Sequence, residues 1–391
     1  MSLSNNMFHG EIPQELGRLF RLQVLYFDNN TMAGEFPINV TSCSNLFYLS
    51  FSNNHLAGKI PMEIGSLRKL EKLYLAFNNF TGQIPSSMWN LSSLNHLAFP
   101  YNNLEGSIPK EIGYLRKLTS FFVGANKLSG PIPSSLYNMS SLTKIVVSSN
   151  QFNGSLPTNM FTNLPNLQWL ELGGNQFSGP IPTSIVSATT LVKLSMSENH
   201  FTGEAPNLGK LHQVSILQLD SNDLGRNSGT DMEFLNFLSN CSKLEFLTIN
   251  DNNFGGHLPN TIGNLSTQLR LLFLEHNQIS GKIPEPIGNL INLTLLHMEM
   301  NYFTGIIPST FAKFQKMQFL SLSRNKLSGD MTHFIDGFSV NNLIGFGSFG
   351  SIYKGTFESQ EVVAIKVINL EITGAHKSFV VECDALRNAK H

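Results

Sequence analysis

Three glycines and a lysine near the C-terminus form the pattern in this sequence that is most suggestive of chemistry. Gly345, Gly347 and Gly350 follow the spacing G-x-G-x-x-G, and Lys366 ends the later string Val-Ala-Ile-Lys. Glycines let backbone amides approach phosphate oxygens, and a lysine can neutralise phosphate charge. A glycine-rich hairpin with an ordinary surface lysine is the alternative. Because several motif elements agree in order and spacing, we favour a nucleotide phosphate site.

The residues around this motif resemble the start of a protein kinase domain. The strings NLIGxGSFGSxYKG and KSFxxECxALRNxxH are similar to plant leucine-rich repeat receptor-like serine/threonine kinases, in the subgroup that contains sensors of bacterial flagellin and elongation factor. The resemblance implies that Lys366 pairs with Glu382 and that ATP is the cofactor. The ATP site that it implies comprises Ile344, Gly345, Gly347, Gly350, Ile352, Ala364, Lys366 and Glu382.

The chain contains neither the H-R-D catalytic loop nor the D-F-G motif of protein kinases. Those motifs supply the base for the substrate hydroxyl and the ligands for Mg²⁺. We therefore expect no catalytic residue, no phosphoryl transfer and at most weak ATP binding from these residues alone. Two alternatives stay open, namely a fragment of an active ATP-dependent membrane receptor kinase and a non-functional relic.

Most of the chain consists of a repeat with a usual period of 24 residues. The string L-x-x-N-x-L/F-x-G-x-I/L/F-P recurs from the first residues to Gly329, which is the signature of a solenoid. We predict an α/β fold in which a solenoid of about 14 repeats spans 1–329, a linker spans 330–338, and a partial kinase N-lobe of strands and one helix spans 339–391. The central asparagines of the repeats are Asn6, Asn30, Asn54, Asn78, Asn102, Asn126, Asn150, Asn175, Asn199, Asn222, Asn252, Asn277, Asn301 and Asn325.

One repeat illustrates the expected physics of the solenoid. Leu73 and Leu75 alternate inward, which predicts a short strand with one buried face. Neighbouring copies would stack these strands into a parallel sheet, and the amide of Asn78 could satisfy backbone groups of neighbouring coils. The G-x-I-P segment resembles plant leucine-rich repeat receptors, which implies a superhelix with an extra strand. Six extra residues around Gly225–Asp231 predict either a surface loop or an enlarged convex helix.

The outward positions of the strands predict a ligand-binding face on the concave side. Aromatic residues dominate its N-terminal half, whereas acidic residues dominate from Trp169 onward. Aromatic side chains on a rigid sheet can anchor a peptide or protein, and acidic residues favour a basic ligand. The alternative is a solvated face with incidental aromatics. The predicted face comprises Tyr26, Tyr48, Tyr74, Tyr101, Trp169, Glu171, Asp220, Asp251, Glu275 and Glu299, with Phe77 and Phe122 as further aromatics. The resemblance also implies a co-receptor kinase as a second partner.

Composition limits the remaining functions. With 26 Lys+Arg and 27 Asp+Glu, the chain has no charge that would steer it onto nucleic acid. Cys43 and Cys241 fall in one column of the solenoid, too far apart to pair, and no metal-ligand spacing appears. Nine Asn-x-Ser/Thr sequons, all within the repeats, suit an ectodomain. The resemblance implies a single-pass plasma-membrane protein, but the sequence as written shows no signal peptide or spanning segment, so we expect a soluble chain, with the cytoplasm as one open compartment.

Overall fold

The computed structural model describes residues 1–329 and three further strands, Leu343–Gly347, Gly350–Thr356 and Val362–Ile368. The linker predicted over 330–338 and Glu382 lie outside the described residues. Within the described part, the dominant elements are very short strands that recur once per repeat, as the repeat pattern predicts.

Thirteen of these strands form one parallel sheet, the concave sheet. Neighbouring strands pair without slippage, so that Leu49 lies opposite Leu73 and Leu73 lies opposite Leu97. The predicted parallel sheet is therefore confirmed, with one strand added by each repeat. Its strands are Val24–Tyr26, Tyr48–Ser50, Lys72–Tyr74, His96–Ala98, Ser120–Phe122, Lys144–Val146, Trp169–Glu171, Lys193–Ser195, Ile216–Gln218, Phe246–Thr248, Leu271–Phe273, Leu295–His297 and Phe319–Ser321.

The G-x-I-P segments form the extra strand that the family resemblance implies. These strands also pair in parallel, in a sheet of ten strands and a separate sheet of three. The first comprises His9–Glu11, Thr31–Glu35, His55–Lys59, Asn79–Gln83, Asn103–Gly106, Lys127–Pro131, Gln151–Gly154, Gln176–Pro180, His200–Gly203 and Asp223–Leu224, and the second Ser280–Lys282, Tyr302–Gly305 and Lys326–Leu327.

The convex side carries single helical turns, most of which begin after the proline of the G-x-I-P segment. Proline suits this place because its fixed φ precedes a helical turn without loss of a hydrogen bond. The 3₁₀ turns are Gln14–Arg18, Ile38–Ser42, Met62–Ser66, Ser86–Asn90, Lys110–Tyr114, Leu136–Asn138, Thr183–Ser187, Asp231–Glu233, Asn260–Asn264, Glu285–Asn289 and Ser309–Lys313, and the α-helices are Met160–Asn163 and Phe234–Leu238.

The core is a continuous column of leucine, isoleucine and phenylalanine that runs through all repeats. Leu73 and Leu75 are both fully buried, which confirms that the alternate leucines point inward. Cys43 and Cys241 are buried and unpaired, and burial raises the pKa of the Cys241 thiol to about 11. Both cysteines therefore behave as small core residues, as the sequence predicts.

The asparagine ladder connects each coil to the one before it. The amide nitrogen of Asn78 donates to the carbonyl oxygen of Phe51 in the preceding repeat, at 2.8 Å. Its amide oxygen accepts from the backbone N–H of Leu56 at 3.0 Å, and the side chain is only 7% exposed. The same pattern repeats at Asn102, where the partners are Leu75 and Phe80. The predicted role of the ladder in satisfying buried backbone groups is confirmed.

The extra residues between Asn222 and Asn252 form both structures that the sequence left open. The loop leads into the 3₁₀ turn Asp231–Glu233, which continues directly into the α-helix Phe234–Leu238. The ten-stranded sheet ends at this repeat, and the three-stranded sheet begins two repeats later.

One carboxylate holds this longer loop in place. The Asp231 side chain is 4% exposed, and its Oδ2 accepts backbone N–H groups of Arg226, Ser228 and Gly255 at 2.9–3.0 Å. Because Gly255 belongs to the following repeat, Asp231 joins the loop to the next coil. The insertion is therefore a folded part of the solenoid.

The three C-terminal strands form an antiparallel sheet. Gly347 pairs with Gly350 in the register of the first two strands, and Ile352 lies opposite Lys366 in that of the second and third. The register shifts between Leu343 and Gly345.

Candidate ligand-binding face

Each strand of the concave sheet offers two outward positions on either side of one inward apolar residue, which is a leucine in most strands. In the strand Lys72–Tyr74, for example, Leu73 is fully buried while Lys72 and Tyr74 are half-buried. Since the register does not slip, equivalent outward residues of successive strands lie side by side and form a column. Neighbouring residues within a column are about 4.8 Å apart, the spacing of the strands. The chemistry of this face is therefore determined by residues that do not contribute to the core.

The three N-terminal tyrosines predicted for the site do contact one another. The ring centroids of Tyr26 and Tyr48 are 4.4 Å apart with the rings perpendicular, and those of Tyr48 and Tyr74 are 5.4 Å apart. His96 continues the row at 6.4 Å from Tyr74, and the Lys72 ammonium lies 5.6 Å from the Tyr48 ring centre. These side chains form one aromatic surface with a cation at its edge.

Burial controls the charge state of this aromatic surface. It raises the pKa of Tyr48 to about 12, with further contributions from Tyr74, Tyr26 and Asp28, and it raises the pKa of Tyr74. Burial, with the charges of Lys72 and Lys144, lowers the pKa of His96. At neutral pH the surface therefore presents neutral hydroxyl groups and a neutral imidazole.

Tyr101 lies in the turn after its strand, where it stacks on Phe77 of the preceding repeat. Their centroids are 4.3 Å apart with an interplanar angle of 11°, and the two side chains are 56% and 47% exposed. Both residues have positive φ, 57° and 53°, because the residue before each ladder asparagine adopts the left-handed conformation. That conformation is unfavourable for bulky side chains.

Trp169 and Glu171 lie on one strand, apart from the tyrosines. The strand of Trp169 is four strands from that of Tyr74, roughly 19 Å at the usual spacing. The Lys144 ammonium lies 4.3 Å from the Trp169 ring centre, and Lys193 forms an ion pair of 2.9 Å with Glu171. This middle region is therefore internally paired.

The predicted acidic residues from Asp220 onward lie just beyond their strands. Asp220 Oδ1 accepts from the hydroxyls of Ser197, at 2.7 Å, and Thr248. Asp251 lies 3.1 Å from the imidazole of His276. These two carboxylates are thus already partnered within the solenoid.

Glu275 and Glu299 are less well satisfied than Asp220 and Asp251. Each has a shielded Oε2 atom without a hydrogen-bond partner, as does Oδ1 of Asn250 in the repeat before them. Burial raises the pKa of Glu275 to about 7, against an opposing hydrogen bond from its own backbone N–H. Burial also acts on Glu299, but hydrogen bonds from His297, its own backbone and Ser321 outweigh it and lower its pKa.

The structure reveals an apolar column that the sequence analysis missed. On the last five strands of the concave sheet, one outward position is apolar throughout, and register pairing makes these residues direct neighbours. Next to the column, His297 packs between Phe273 and Phe319, with centroid distances of 4.3 and 4.9 Å. The only sequence signal is an apolar residue directly before each core leucine. The members of the apolar column are Ile216, Phe246, Leu271, Leu295 and Phe319.

The residues proposed for ATP lie in the C-terminal strands, apart from Glu382. Gly345, Gly347 and Gly350 belong to the first hairpin, whereas Ala364 and Lys366 lie on the third strand. In the backbone register, Ile352 lies opposite Lys366, and Glu382 lies outside the described residues.

The described residues contain neither a metal-binding cluster nor a helix that could span a membrane. No group of three or more His, Cys, Asp or Glu side chains there could hold a metal ion. In the same part of the chain, no helix has the length and apolar character needed to cross a bilayer.

Comparison with protein families identifies the repeats. Two models described as leucine-rich repeat match the chain, one over 116–177 and 140–201. The other matches five segments, 45–67, 69–91, 243–265, 268–290 and 292–314.

Several of the similar proteins are plant receptor kinases. The receptor kinase-like protein Xa21 of Oryza sativa subsp. japonica is 57% identical over 56 residues, which are 14% of this chain and 5% of Xa21. The peptide hormone receptor RGFR1, solved in complex with RGF2, is 34% identical with a TM-score of 0.76 over 83% of this chain and 51% of that chain.

A third similar structure is the Arabidopsis receptor kinase HAESA, solved with the peptide hormone IDA and the co-receptor SERK1. It is 27% identical, with a TM-score of 0.54 over 84% of this chain and 66% of that chain. The present chain thus spans about half of the RGFR1 chain and a small part of Xa21. With the repeat architecture, these likenesses establish that the chain carries a leucine-rich repeat domain homologous to the ectodomains of plant leucine-rich repeat receptor kinases.

Proposed function

We propose that this chain is part of a plant membrane receptor kinase whose solenoid binds a peptide or protein ligand on the concave sheet. The observation that carries the proposal is the concave sheet itself, a rigid and regular surface that presents the exposed aromatic Trp169 and the poorly satisfied carboxylates Glu275 and Glu299. The structures of RGFR1 with RGF2 and of HAESA with IDA support it, because their solenoids resemble this one and were solved with peptide hormones.

A co-receptor kinase is the second partner that we propose. The structure of HAESA with SERK1 supports this step, since HAESA and the present solenoid share a fold over 84% of this chain. By the same relationship we place the repeats outside the cell, in the pattern-recognition subgroup that the C-terminal motifs resemble.

We also propose that the C-terminal strands begin a kinase N-lobe that binds ATP through its glycine loop and Lys366. The antiparallel order of the three strands and the pairing of Gly347 with Gly350 support this assignment. The backbone register brings the strand of Lys366 alongside the strand that follows the glycine turn. In the chain as given, we expect this binding to be weak.

Ligand binding can be tested by selection of a random dodecapeptide display library on the full-length chain. Peptides that bind should lose affinity when Trp169→Ala or Glu299→Lys is introduced into the concave sheet. Met62→Ser and Tyr114→Ser, at exposed convex positions, are matched controls and should leave affinity unchanged. Peptides that depend on the convex controls and ignore both concave variants would contradict the proposal.

Nucleotide binding can be tested with a fluorescent ATP analogue titrated into the full-length chain. The proposal expects weak, displaceable binding that disappears in Lys366→Ala and persists in Lys354→Ala, which changes a lysine on the neighbouring strand. Binding that is unaffected by Lys366→Ala would show that the glycine loop and lysine do not form the site.

A further inference from the structure

The apolar column extends over the last five strands of the concave sheet. Ile216, Phe246, Leu271, Leu295 and Phe319 are each half-buried and point away from the core leucines. With four strand intervals the column is roughly 19 Å long, and it is one residue wide. In earlier strands the same position holds Lys72, Ser120 and Lys144, so an unbroken apolar column is confined to this end of the sheet.

An acidic row lies two residues beyond the strands, and the second outward position of each strand, which holds Thr248, Phe273 and His297 in successive repeats, separates this row from the column. Its members are Asp220, Asn250, Glu275 and Glu299. Among the described residues, no lysine or arginine forms an ion pair with any of the three carboxylates. Asn250, Glu275 and Glu299, on three successive repeats, each retain a shielded oxygen without a hydrogen-bond partner. The imidazole of His297 lies 3.2 Å from a Glu299 oxygen, so Asp220 and Glu275 are the carboxylates of the row without an ion pair among the described residues.

The shape of the column limits the kind of partner. A strip roughly 19 Å long and one side chain wide is far smaller than the surface of about 800 Å² that each partner commonly contributes to a stable protein–protein interface. An extended peptide, which presents alternate side chains along a line, matches such a strip. Sequons lie outside this region, since Asn240, Asn264 and Asn292 fall on the convex side or in the connections between strands.

We infer that the apolar column and the acidic row together bind an extended peptide that carries both apolar side chains and a lysine, an arginine or a free amino terminus. This inference rests on the proposed function and specifies its ligand. The apolar side chains would pack on the column, and the cation would pair with Glu275 and Glu299. Charge complementarity selects a basic segment over an acidic one, because the row carries three carboxylates and, in the described part of the chain, His297 is the one basic group that pairs with them.

The test uses peptides selected from the dodecapeptide library on the full-length chain and measures their affinities by calorimetry. The inference expects enriched peptides that combine apolar residues with lysine or arginine. Leu295→Ser and Glu299→Gln should each weaken binding at least tenfold. Met62→Ser, at an exposed convex position, is the control and should leave affinity within twofold.

Thermal melts of the variants control for folding, and Glu299→Gln provides a nearly isosteric second variant where Leu295→Ser proves unstable. Enrichment of acidic peptides would overturn the inference. So would affinity that depends on Tyr74 or Trp169 and not on Leu295 and Glu299, although that result would leave the proposed peptide receptor intact. A library that yields no binder to any part of the concave sheet would contradict both.

Discussion

The two ends of the concave sheet share a scaffold but differ in what they present. The N-terminal strands carry Tyr26, Tyr48 and Tyr74 in mutual contact, and in the middle strands Lys144 and Lys193 are engaged by Trp169 and Glu171. The C-terminal strands present a continuous apolar column, and beyond it Glu275 and Glu299 each keep one shielded oxygen without a hydrogen-bond partner. Lysines thus pair with ring or carboxylate in the middle strands, whereas in the described part of the chain neither Glu275 nor Glu299 forms an ion pair with a lysine or arginine.

This difference shows how a repeat protein separates stability from recognition. Both regions use the same buried leucines and the same ladder of asparagines, for example Asn102 and Asn277. Only the outward positions of the strands vary, and those positions contribute little to the core. Function therefore has to be sought in residues that the repeat pattern leaves free.

The largest expected effect is the loss of stability when a ladder asparagine is replaced. It tests whether the asparagine ladder stabilises both regions equally. Asn102→Ala and Asn277→Ala should each lower the free energy of unfolding by about 2–4 kcal/mol, because each leaves a buried backbone N–H and carbonyl oxygens unsatisfied. Chemical denaturation followed by circular dichroism measures the change. Asn166→Ala, at an exposed side chain with one hydrogen bond, is the control and should cost under about 0.5 kcal/mol. A large difference between the two ladder variants would mean that the regions also differ in their scaffold.

The next prediction concerns the unsatisfied carboxylate at the C-terminal end. Burial raises the pKa of Glu275 from 4.5 to about 7, so folding takes up a proton between these values and stability falls as pH rises through that window. Glu275→Gln removes this penalty and should stabilise the chain by about 1–2 kcal/mol at pH 8, after allowance for solvent screening. At pH 4 the variant and the wild type should be nearly equal. Denaturant midpoints at both pH values measure this, and destabilisation at pH 8 would show that Glu275 has a partner in the folded chain.

A smaller effect should appear in ligand binding. Affinity for a selected basic peptide should rise about fivefold between pH 5.5 and pH 8, since Glu275 loses a proton and presents a charge to the ligand. The charged groups that face Glu275 are Asp251, His297 and Glu299. Calorimetry across this range measures the rise, and Glu275→Gln should flatten it. A profile that is unchanged in Glu275→Gln would exclude this carboxylate from the site.

The smallest predicted effect lies in the middle of the sheet. Lys144→Met removes the cation above Trp169 and should lower the free energy of unfolding by about 0.5–1 kcal/mol. Trp169 is 37% exposed and Trp89 is 2% exposed, so a change in emission reports mainly on the ring beside the lysine. The control is Lys127→Met, at an exposed residue on the ten-stranded sheet. This change should leave the emission of Trp169 unchanged. An unaltered spectrum in Lys144→Met would mean that the contact is absent in solution.

Much of the scaffold could be predicted from the sequence because the same pattern of leucines and asparagines recurs in every repeat. The inward leucines, the parallel sheet and the role of Asn78 follow from spacing and are confirmed. The family resemblance added the second sheet, also confirmed. For the six extra residues near Asp231, the sequence leaves a loop and a helix as alternatives. The structure has both, and the single buried carboxylate that holds them in place does not recur in other repeats, so no periodic pattern indicates it.

The binding face was harder to predict, for physical reasons. Tyr101 was assigned to the face from its spacing, but the residue before a ladder asparagine turns with positive φ, so its ring lies beyond the strand. The apolar column was missed because an apolar residue next to a core leucine, such as Leu271 beside Leu272, is indistinguishable from the core in a sequence. Register, which only the structure supplies, aligns these residues. The ATP site, including Glu382, stays a prediction.

The most direct test of the account is to locate a bound peptide on the full-length chain. A selected basic peptide with a photoreactive benzophenone side chain would be cross-linked and its attachment points mapped by mass spectrometry. The account predicts attachment within the strands and turns of 246–251, 271–276 and 295–300, and loss of attachment in Leu295→Ser. Attachment confined to Tyr26, Tyr48 and Tyr74, or to the convex turns, would contradict it.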